Sequence, residues 1–313
     1  MKIAVTTAPF GKPNDLPKKQ IDKYEVHYNN LERKYKPQEV RDILLKFQPD
    51  AIIAGTEKYD EDLIDGLVNL KIIARVGIGL DGVPVEKCKD KGIIVTYTPD
   101  APSNAVAELT ICQMLNMLRD VQVSDYKMRQ GEWDRRIGDE IRGCEVGIIG
   151  CGRIGNLVIE KLQGLKPRRI YANDIILDRA HNLSRTEYAT KMQILSNCDI
   201  ITIHIPYNEV NVNYLTEDDF SLMKEDVCLI NMSRGGIINE NELYKFLCNN
   251  PAAKAAIDTF DEEPYLGPLT SLDNAFLTPH LGSCSKKSRF DMEMGAVEEV
   301  LNFIKGKEFF NRV

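Results

Sequence analysis

Residues 145–155 read Glu145-Val146-Gly147-Ile148-Ile149-Gly150-Cys151-Gly152-Arg153-Ile154-Gly155. An apolar run ends in three glycines spaced Gly-x-Gly-x-x-Gly, and a helical pattern follows over Gly155–Leu162. In that order Gly150 permits a tight turn, Gly152 lets the backbone approach a pyrophosphate, and Gly155 lets the helix pack closely on the strand. The helix N-terminus then offers unpaired N–H groups and a partial positive charge to the phosphates. A second apolar run, Arg169–Asn173, ends at Asp174, about 20 residues on, where the dinucleotide fingerprint asks for an acid. A carboxylate there accepts hydrogen bonds from a ribose 2′-OH and repels a 2′-phosphate, so the stretch reads as a site for NAD in preference to NADP. Arg179 lies nearby as a feature pointing the other way.

Outward from this stretch the chain alternates short apolar runs with helical patterns. Strands are expected at Lys2–Thr6, Ala51–Ala54, Ile72–Arg75, Ile93–Tyr97, Glu145–Ile149, Arg169–Asn173, Ile200–Ile203, Val227–Asn231, Ala255–Asp258 and Ala275–Leu277. Continuous apolar runs of this length suit parallel strands covered on both faces. Helices are expected between them, at Pro37–Phe47, Asp60–Leu67 and Gly155–Leu162 among others. Strand–helix–strand repetition means an α/β fold with doubly wound parallel sheets. With 313 residues the chain has room for two such Rossmann-like units. The turn-rich stretch Thr98-Pro-Asp-Ala-Pro-Ser-Asn104 separates them, a long helical pattern runs from Ala105 to about Arg119, and a last one runs from Lys286 to about Lys305. The expected division is 1–99 with 285–313 as one domain and 100–284 as the other, with a cleft between them.

Acidic residues exceed basic ones, 47 to 40, for a net charge of -7. That balance argues against non-specific binding to nucleic acid or to an anionic membrane, though a local pocket can still be basic. No apolar stretch approaches the roughly 20 residues of a membrane span. The opening Met-Lys-Ile-Ala-Val reads as a first strand and not as a signal peptide. None of the eight cysteines is spaced as a zinc knuckle or a CxxC pair, so no metal is expected. Dispersed through apolar runs they behave as small hydrophobes, which points to a reducing cytoplasm with free thiols.

Six further segments, in order, resemble the D-isomer-specific 2-hydroxyacid dehydrogenase family, and within it the phosphoglycerate-dehydrogenase-like members. They are Arg75-Val-Gly-Ile-Gly-Leu-Asp81, Ser103-Asn-Ala-Val-Ala-Glu-Leu109, Gly131-Glu-Trp133, Asn231-Met-Ser-Arg-Gly-Gly236, Asp258-Thr-Phe-Asp-Glu-Glu-Pro264 and Thr278-Pro-His-Leu-Gly-Ser283. The resemblance covers the chain from about Ala51 onward. It implies a substrate-carboxylate loop at Arg75, Val76, Gly77, Ile78 and Gly79, an interdomain helix from Ser103, and a dimerisation arm around Trp133. It also implies a catalytic Arg234, Glu263 and His280. Cofactor contacts are implied for Arg153 and Ile154 after the glycine turn, for Met232 and Ser233 beside the nicotinamide ribose, for Asp258 on the carboxamide, and for Gly282 past the histidine. A homodimer acting on a small anionic hydroxy or oxo acid is expected, without a regulatory domain.

The chemistry asks for the same groups. Oxidising a hydroxy acid removes a hydroxyl proton as a hydride leaves the same carbon, and a histidine suits that base. His280 is the candidate, with Glu263 to orient the ring and stabilise its cation. A guanidinium can hold a carboxylate bidentately and keeps its charge, which fits Arg234. Backbone N–H groups around Val76–Gly79 could take the other side of that carboxylate, as glycine-rich turns do for anions. Singly, each of these could be a solvated charge or a packed turn residue; together, each follows an expected parallel strand, at the end where such folds bind ligands. His204 reads as a wall residue, and His27 and His181 as surface or packing residues.

Two departures from the family stand out. The usual Asp-Asn-Val-Asp is here Asp81-Gly-Val-Pro84, and Ala54-Gly-Thr-Glu57 lacks an Arg that helps hold a phosphate in some phosphoglycerate dehydrogenases. Arg75 and Lys58 remain as phosphate ligands, so a phosphorylated substrate stays open. Two other readings stand beside the enzyme: a non-enzymatic, NAD-sensing interaction protein on the same fold, and a relative acting on formate or phosphite. Formate dehydrogenases of this fold pair the His with Gln, where this chain has Glu263.

Overall fold

The computed structural model describes residues 1–12, 14–181 and 186–313, apart from the side chains of Ala180 and His181. The sequence reading for His181 therefore falls outside what is described. The chain divides into two compact units, 1–102 with 283–313, and 103–282. The first break falls three residues later, and the second two residues earlier, than the sequence suggested.

The first unit runs β1 (Lys2–Val5), α1 (Leu16–Ile21), β2 (Glu25–Tyr28), α2 (Pro37–Phe47), β3 (Ala51–Ala54), α3 (Glu61–Gly66), β4 (Ile72–Arg75), α4 (Val85–Asp90) and β5 (Ile94–Tyr97). Its strands form one parallel sheet in the order β2-β1-β3-β4-β5. The strand Ala-Ile-Ile-Ala of β3 is buried at every position, as are all four residues of β4. Both faces are therefore covered. One face packs on Val40, Leu44, Leu63 and Ile64 from α2 and α3. The other is covered by the final helix of the chain, Lys286–Lys305, whose Met292, Ala296, Val297 and Val300 pack with Ile3, Val5, Ile53 and Ile72. Each of the Met, Val and Ile side chains contributes about 1.5–3 kcal/mol on burial. Without that late helix the sheet face would stand in water, which is why the unit is discontinuous in sequence.

The second unit opens with α5 (Ser103–Arg119) and α6 (Val121–Arg129), then β6 (Glu145–Ile149), α7 (Arg153–Leu165), β7 (Arg169–Asn173), α8 (Leu177–His181), β8 (Glu187–Tyr188), α9 (Lys191–Asn197), β9 (Ile200–Ile203), α10 (Glu217–Leu222), β10 (Cys228–Asn231), α11 (Glu240–Asn249), β11 (Lys254–Ile257) and β12 (Ala275–Leu277). The helix already named, Lys286–Lys305, is α12. The sheet order is β12-β11-β10-β9-β6-β7-β8, again all parallel. In this sheet the order reverses between β6 and β9; in the first it reverses between β1 and β3. Ligands of doubly wound sheets sit beyond the carboxyl ends of the strands at such reversals.

Two strands were not legible in sequence, β2 and β8, and both are edges. Glu25-Val-His-Tyr28 is exposed or half-buried along its length, and Glu187-Tyr188 is exposed. With one side in solvent neither needs the apolar run that marks a central strand.

Candidate active site

The glycine turn leaves β6 and enters α7. Gly150 has φ +95°, and a Cβ on it would lie 2.6 Å from the carbonyl oxygen of His204. A Cβ on Gly155 would lie 2.0 Å from the carbonyl oxygen of Gly150, so helix and strand could not approach as they do. A Cβ on Gly152 would meet nothing within 4 Å. The first and third glycines are thus demanded by the protein itself. The second is demanded by nothing among the described residues, and its open face suits a bound group. Gly152 caps α7, so Arg153 and Ile154 occupy the first turn, where N–H groups lack intrahelical partners. Asp174 stands just past β7 with Oδ2 accepting from Cys151 N at 2.7 Å and Oδ1 from Ile176 N at 2.8 Å. The acid therefore lies against the glycine turn and helps to shape it. These residues fit a dinucleotide.

Arg234, Glu263 and His280 follow β10, β11 and β12, three neighbouring parallel strands. His280 Nδ1 lies 3.1 Å from both carboxylate oxygens of Glu263. Glu263 Oε1 also accepts from Phe260 N at 3.4 Å, and the rings of Phe260 and Tyr265 stack at 4.2 Å on either side of this loop. The two loops carrying Arg234 and Glu263 touch: a Cβ on Gly235 would lie 2.1 Å from the backbone carbonyl of Phe260. Arg234 Nη1 donates to Ser233 O at 2.7 Å.

His280 has φ +54°, a conformation that costs a residue with a Cβ about 1–2 kcal/mol. Asp258 holds it there. The Asp258 carbonyl accepts from His280 N at 2.9 Å, Oδ1 from Thr278 Oγ1 at 2.5 Å and Leu281 N at 2.7 Å, and Oδ2 from Gly282 N at 2.8 Å. Burial pushes this carboxyl above the usual aspartate range, against the pull of those hydrogen bonds. Both oxygens are thus engaged by the loop that carries His280. Gly282 is part of the same clamp, since a Cβ on it would crowd Asp258 Oδ2 at 3.1 Å.

Other residues expected to touch ligands also have partners within the protein. Met232 is 4% exposed and belongs to the core with Ile148, Ile230 and Phe276. The Ser233 hydroxyl donates inward, to Asn231 Oδ1 at 2.7 Å and Ile203 O at 3.2 Å. Neither side chain is turned out to flank a ribose. In the first unit, Val76 N donates to Ala54 O at 2.9 Å and Gly77 N to Thr98 Oγ1 at 2.7 Å. That leaves the N–H groups of Ile78 and Gly79 as the anion donors of the expected carboxylate loop, since among the described residues they make no such bond. The Arg75 guanidinium donates to the Val76 carbonyl of its own loop. Asn231, Thr278 and Thr98, which build these turns, were missed because a single polar residue beside a strand end carries no distinguishing pattern.

His204 follows β9 beside the glycine turn. Its Nε2 lies 3.0 Å from Thr202 Oγ1, while Nδ1 is enclosed with no hydrogen-bond partner among the described residues. Burial pushes the ring down to about 3. His27 packs on Phe47 with ring centroids 5.6 Å apart, and burial lowers it too. Among the described residues no three His, Cys, Asp or Glu side chains stand together as a metal site, and no helix is long and apolar enough to cross a membrane.

Residues 111–282, more than half of the chain, match the family model described as the NAD binding domain of D-isomer specific 2-hydroxyacid dehydrogenase. A glyoxylate reductase from Pyrococcus horikoshii is 31% identical over 280 residues, covering 85% of this chain and 84% of the relative. A D-3-phosphoglycerate dehydrogenase from Archaeoglobus fulgidus is 30% identical over 293 residues, covering 91% of this chain; the chain spans 55% of that relative's length. A crystal structure of a Thermus thermophilus protein superposes with a TM-score of 0.87 at 25% identity, over the whole of both chains.

The His204 ring makes a pH prediction. Below pH about 6.5 an unfolded chain binds a proton at this ring that the folded protein refuses until about pH 3, so stability falls as pH falls through that window. His204→Gln removes this part of the fall. Between pH 7 and 5 the wild type should lose up to about 2 kcal/mol more than the variant by urea unfolding; parallel losses would show that the ring is not held neutral.

Proposed function

The chain belongs to the D-isomer-specific 2-hydroxyacid dehydrogenase family and carries its NAD-binding domain, and from that premise we propose that it interconverts a small D-2-hydroxy acid and its 2-oxo acid with NAD. The observation that carries the proposal is the His280–Glu263 pair, with Nδ1 3.1 Å from both carboxylate oxygens. When bound, the nicotinamide supplies the hydride or accepts it. In the reductive direction His280 Nε2 gives its proton to the substrate oxygen; in the oxidative direction it takes that proton back. Glu263 fixes the tautomer through Nδ1 and stabilises the imidazolium. Arg234 takes the substrate carboxylate as a bidentate partner; in the first unit, the N–H groups of Ile78 and Gly79 suit an anion. Asp174 accepts the ribose hydroxyls, and the N-terminal turn of α7 takes the pyrophosphate.

We further propose a homodimer in a reducing cytoplasm. All eight cysteines are free thiols. The segment from α6 onward buries none of its residues in α6 and leaves Tyr126, Met128, Trp133 and Ile137 at 65%, 53%, 79% and 100% exposure. An apolar arm of that kind marks an interaction surface, and a second copy is the occupant we assign.

Three outcomes test these roles. Oxidation of NADH followed at 340 nm should proceed with at least one of glyoxylate, hydroxypyruvate, phosphohydroxypyruvate, pyruvate or branched 2-oxo acids; Glu263→Gln should lower kcat by about 100-fold and change its pH dependence. Turnover by the variant with an unchanged profile would remove Glu263 from the pair. Asp174→Ala should reduce the preference for NADH over NADPH by about tenfold, and an unaltered ratio would refute its ribose role. Light scattering should give the mass of two chains, falling to one on Trp133→Glu with Ile137→Glu; a wild-type mass of one chain would sink the dimer.

A further inference from the structure

The loop that leaves β9 carries an aromatic side chain that none of the roles above uses. Tyr207 is 41% exposed. Its ring lies on Gly236, two residues beyond Arg234, where a Cβ would come within 2.6 Å of ring atom Cε2. Gly236 also has φ +75°, so another residue there would be strained as well as crowded. The phenol oxygen makes no hydrogen bond among the described residues.

Both neighbours of this ring are tied down. Asn208 Oδ1 accepts from Val210 N at 3.1 Å and from Asn211 N at 3.0 Å, and Asn211 Nδ2 donates to Pro206 O at 2.8 Å. Asn213 N donates to Gly236 O at 2.7 Å, which fastens the far end of the loop to the turn after β10. At the near end, a Cβ on Gly150 would meet the His204 carbonyl and the Ile205 side chain, so the loop also lies against the glycine turn. Tyr207 thus stands on a fixed loop between the two turns, with an unused hydroxyl.

Its place along the sheet says what it would meet. The strand order runs β10-β9-β6-β7, with neighbours about 4.8 Å apart. Asp174 stands at the end of β7 and the glycine turn at the end of β6. An adenosine ribose and a diphosphate held there leave the second nucleotide to continue over β9 toward β10. Tyr207 follows β9 and leans on the turn after β10, on the side of the glycine turn away from Asp174. The side chains of Met232 and Ser233 in that turn face inward and offer this nucleotide nothing. A phenol can both donate to and accept from a sugar hydroxyl, and its ring covers sugar carbons.

We propose that Tyr207 is a cofactor-binding residue that holds the ribose of the nicotinamide half of NAD. The assignment lies wholly within the second unit and rests on the placing of the dinucleotide proposed above. The experiment measures the affinity of the full chain for NADH, ADP-ribose and ADP by titration calorimetry, in the wild type, Tyr207→Phe and Tyr207→Ala. ADP keeps the adenosine and both phosphates but lacks the second ribose. Tyr207→Phe should weaken NADH and ADP-ribose about fivefold and Tyr207→Ala further, with ADP unchanged in both. Unchanged ADP binding also shows that the variants are folded. Should they not fold, nitration of the wild type by tetranitromethane serves instead: NADH and ADP-ribose should shield Tyr207, and ADP should not. Equal weakening of ADP, unchanged NADH affinity, or shielding by ADP as strong as by NADH overturns the role of Tyr207 and leaves the dinucleotide where it is. No binding of NADH by the wild type overturns that placing, and this assignment with it.

Discussion

A parallel sheet covered on both faces leaves the chain one place for polar chemistry, the loops beyond its strand ends. Here the constraint operates twice. The central strands are four or five residues long and almost wholly apolar, because their backbone groups are spent on neighbouring strands and their side chains on the helices above and below. Every residue assigned to catalysis or to the cofactor therefore lies within a few positions of a strand's carboxyl end or at the start of the helix that follows.

Loops placed in this way need a framework of their own, and buried acids and close-packed glycines supply it. Asp258 gathers Thr278, His280, Leu281 and Gly282 around itself and so holds a histidine in a backbone conformation it would otherwise avoid. Asn231 does the same for the turn before Arg234, through Ser233 N and Oγ and the Arg234 carbonyl. Gly235 brings that turn against the Glu263 loop. In the first unit Glu293 accepts from Gly11 N and pairs with Arg289, and Glu299 accepts from Phe310 N and Asn311 N. Burial raises both of these carboxyls, while the N–H groups they receive offset part of that cost.

Much of the fold was legible because central parallel strands carry a loud signal. Ten of the strands lie where continuous apolar runs place them, to within a residue at either end. The edge strands β2 and β8 were silent, since half-exposed residues show no such run. The Gly150–Gly155 turn was legible because each glycine answers a separate steric demand, and Asp174 because its distance from that turn is set by one strand–helix–strand passage. The identities of Arg234, Glu263 and His280 could be read from their motifs, but not the 3.1 Å contact between the last two, which lie 17 residues apart.

What the sequence determined by itself was the alternation of elements, the dinucleotide turn and the set of reactive side chains, all of which depend on spacing along the chain. The tertiary structure decided which polar groups remain for ligands. Val76 and Gly77 had spent their N–H groups on Ala54 and Thr98, Ser233 had turned its hydroxyl inward, Met232 had gone to the core, and Asp258 had become the clamp of the histidine loop. Hydrogen-bond donors and acceptors are satisfied by neighbours in space, and those neighbours come from strands far apart in sequence.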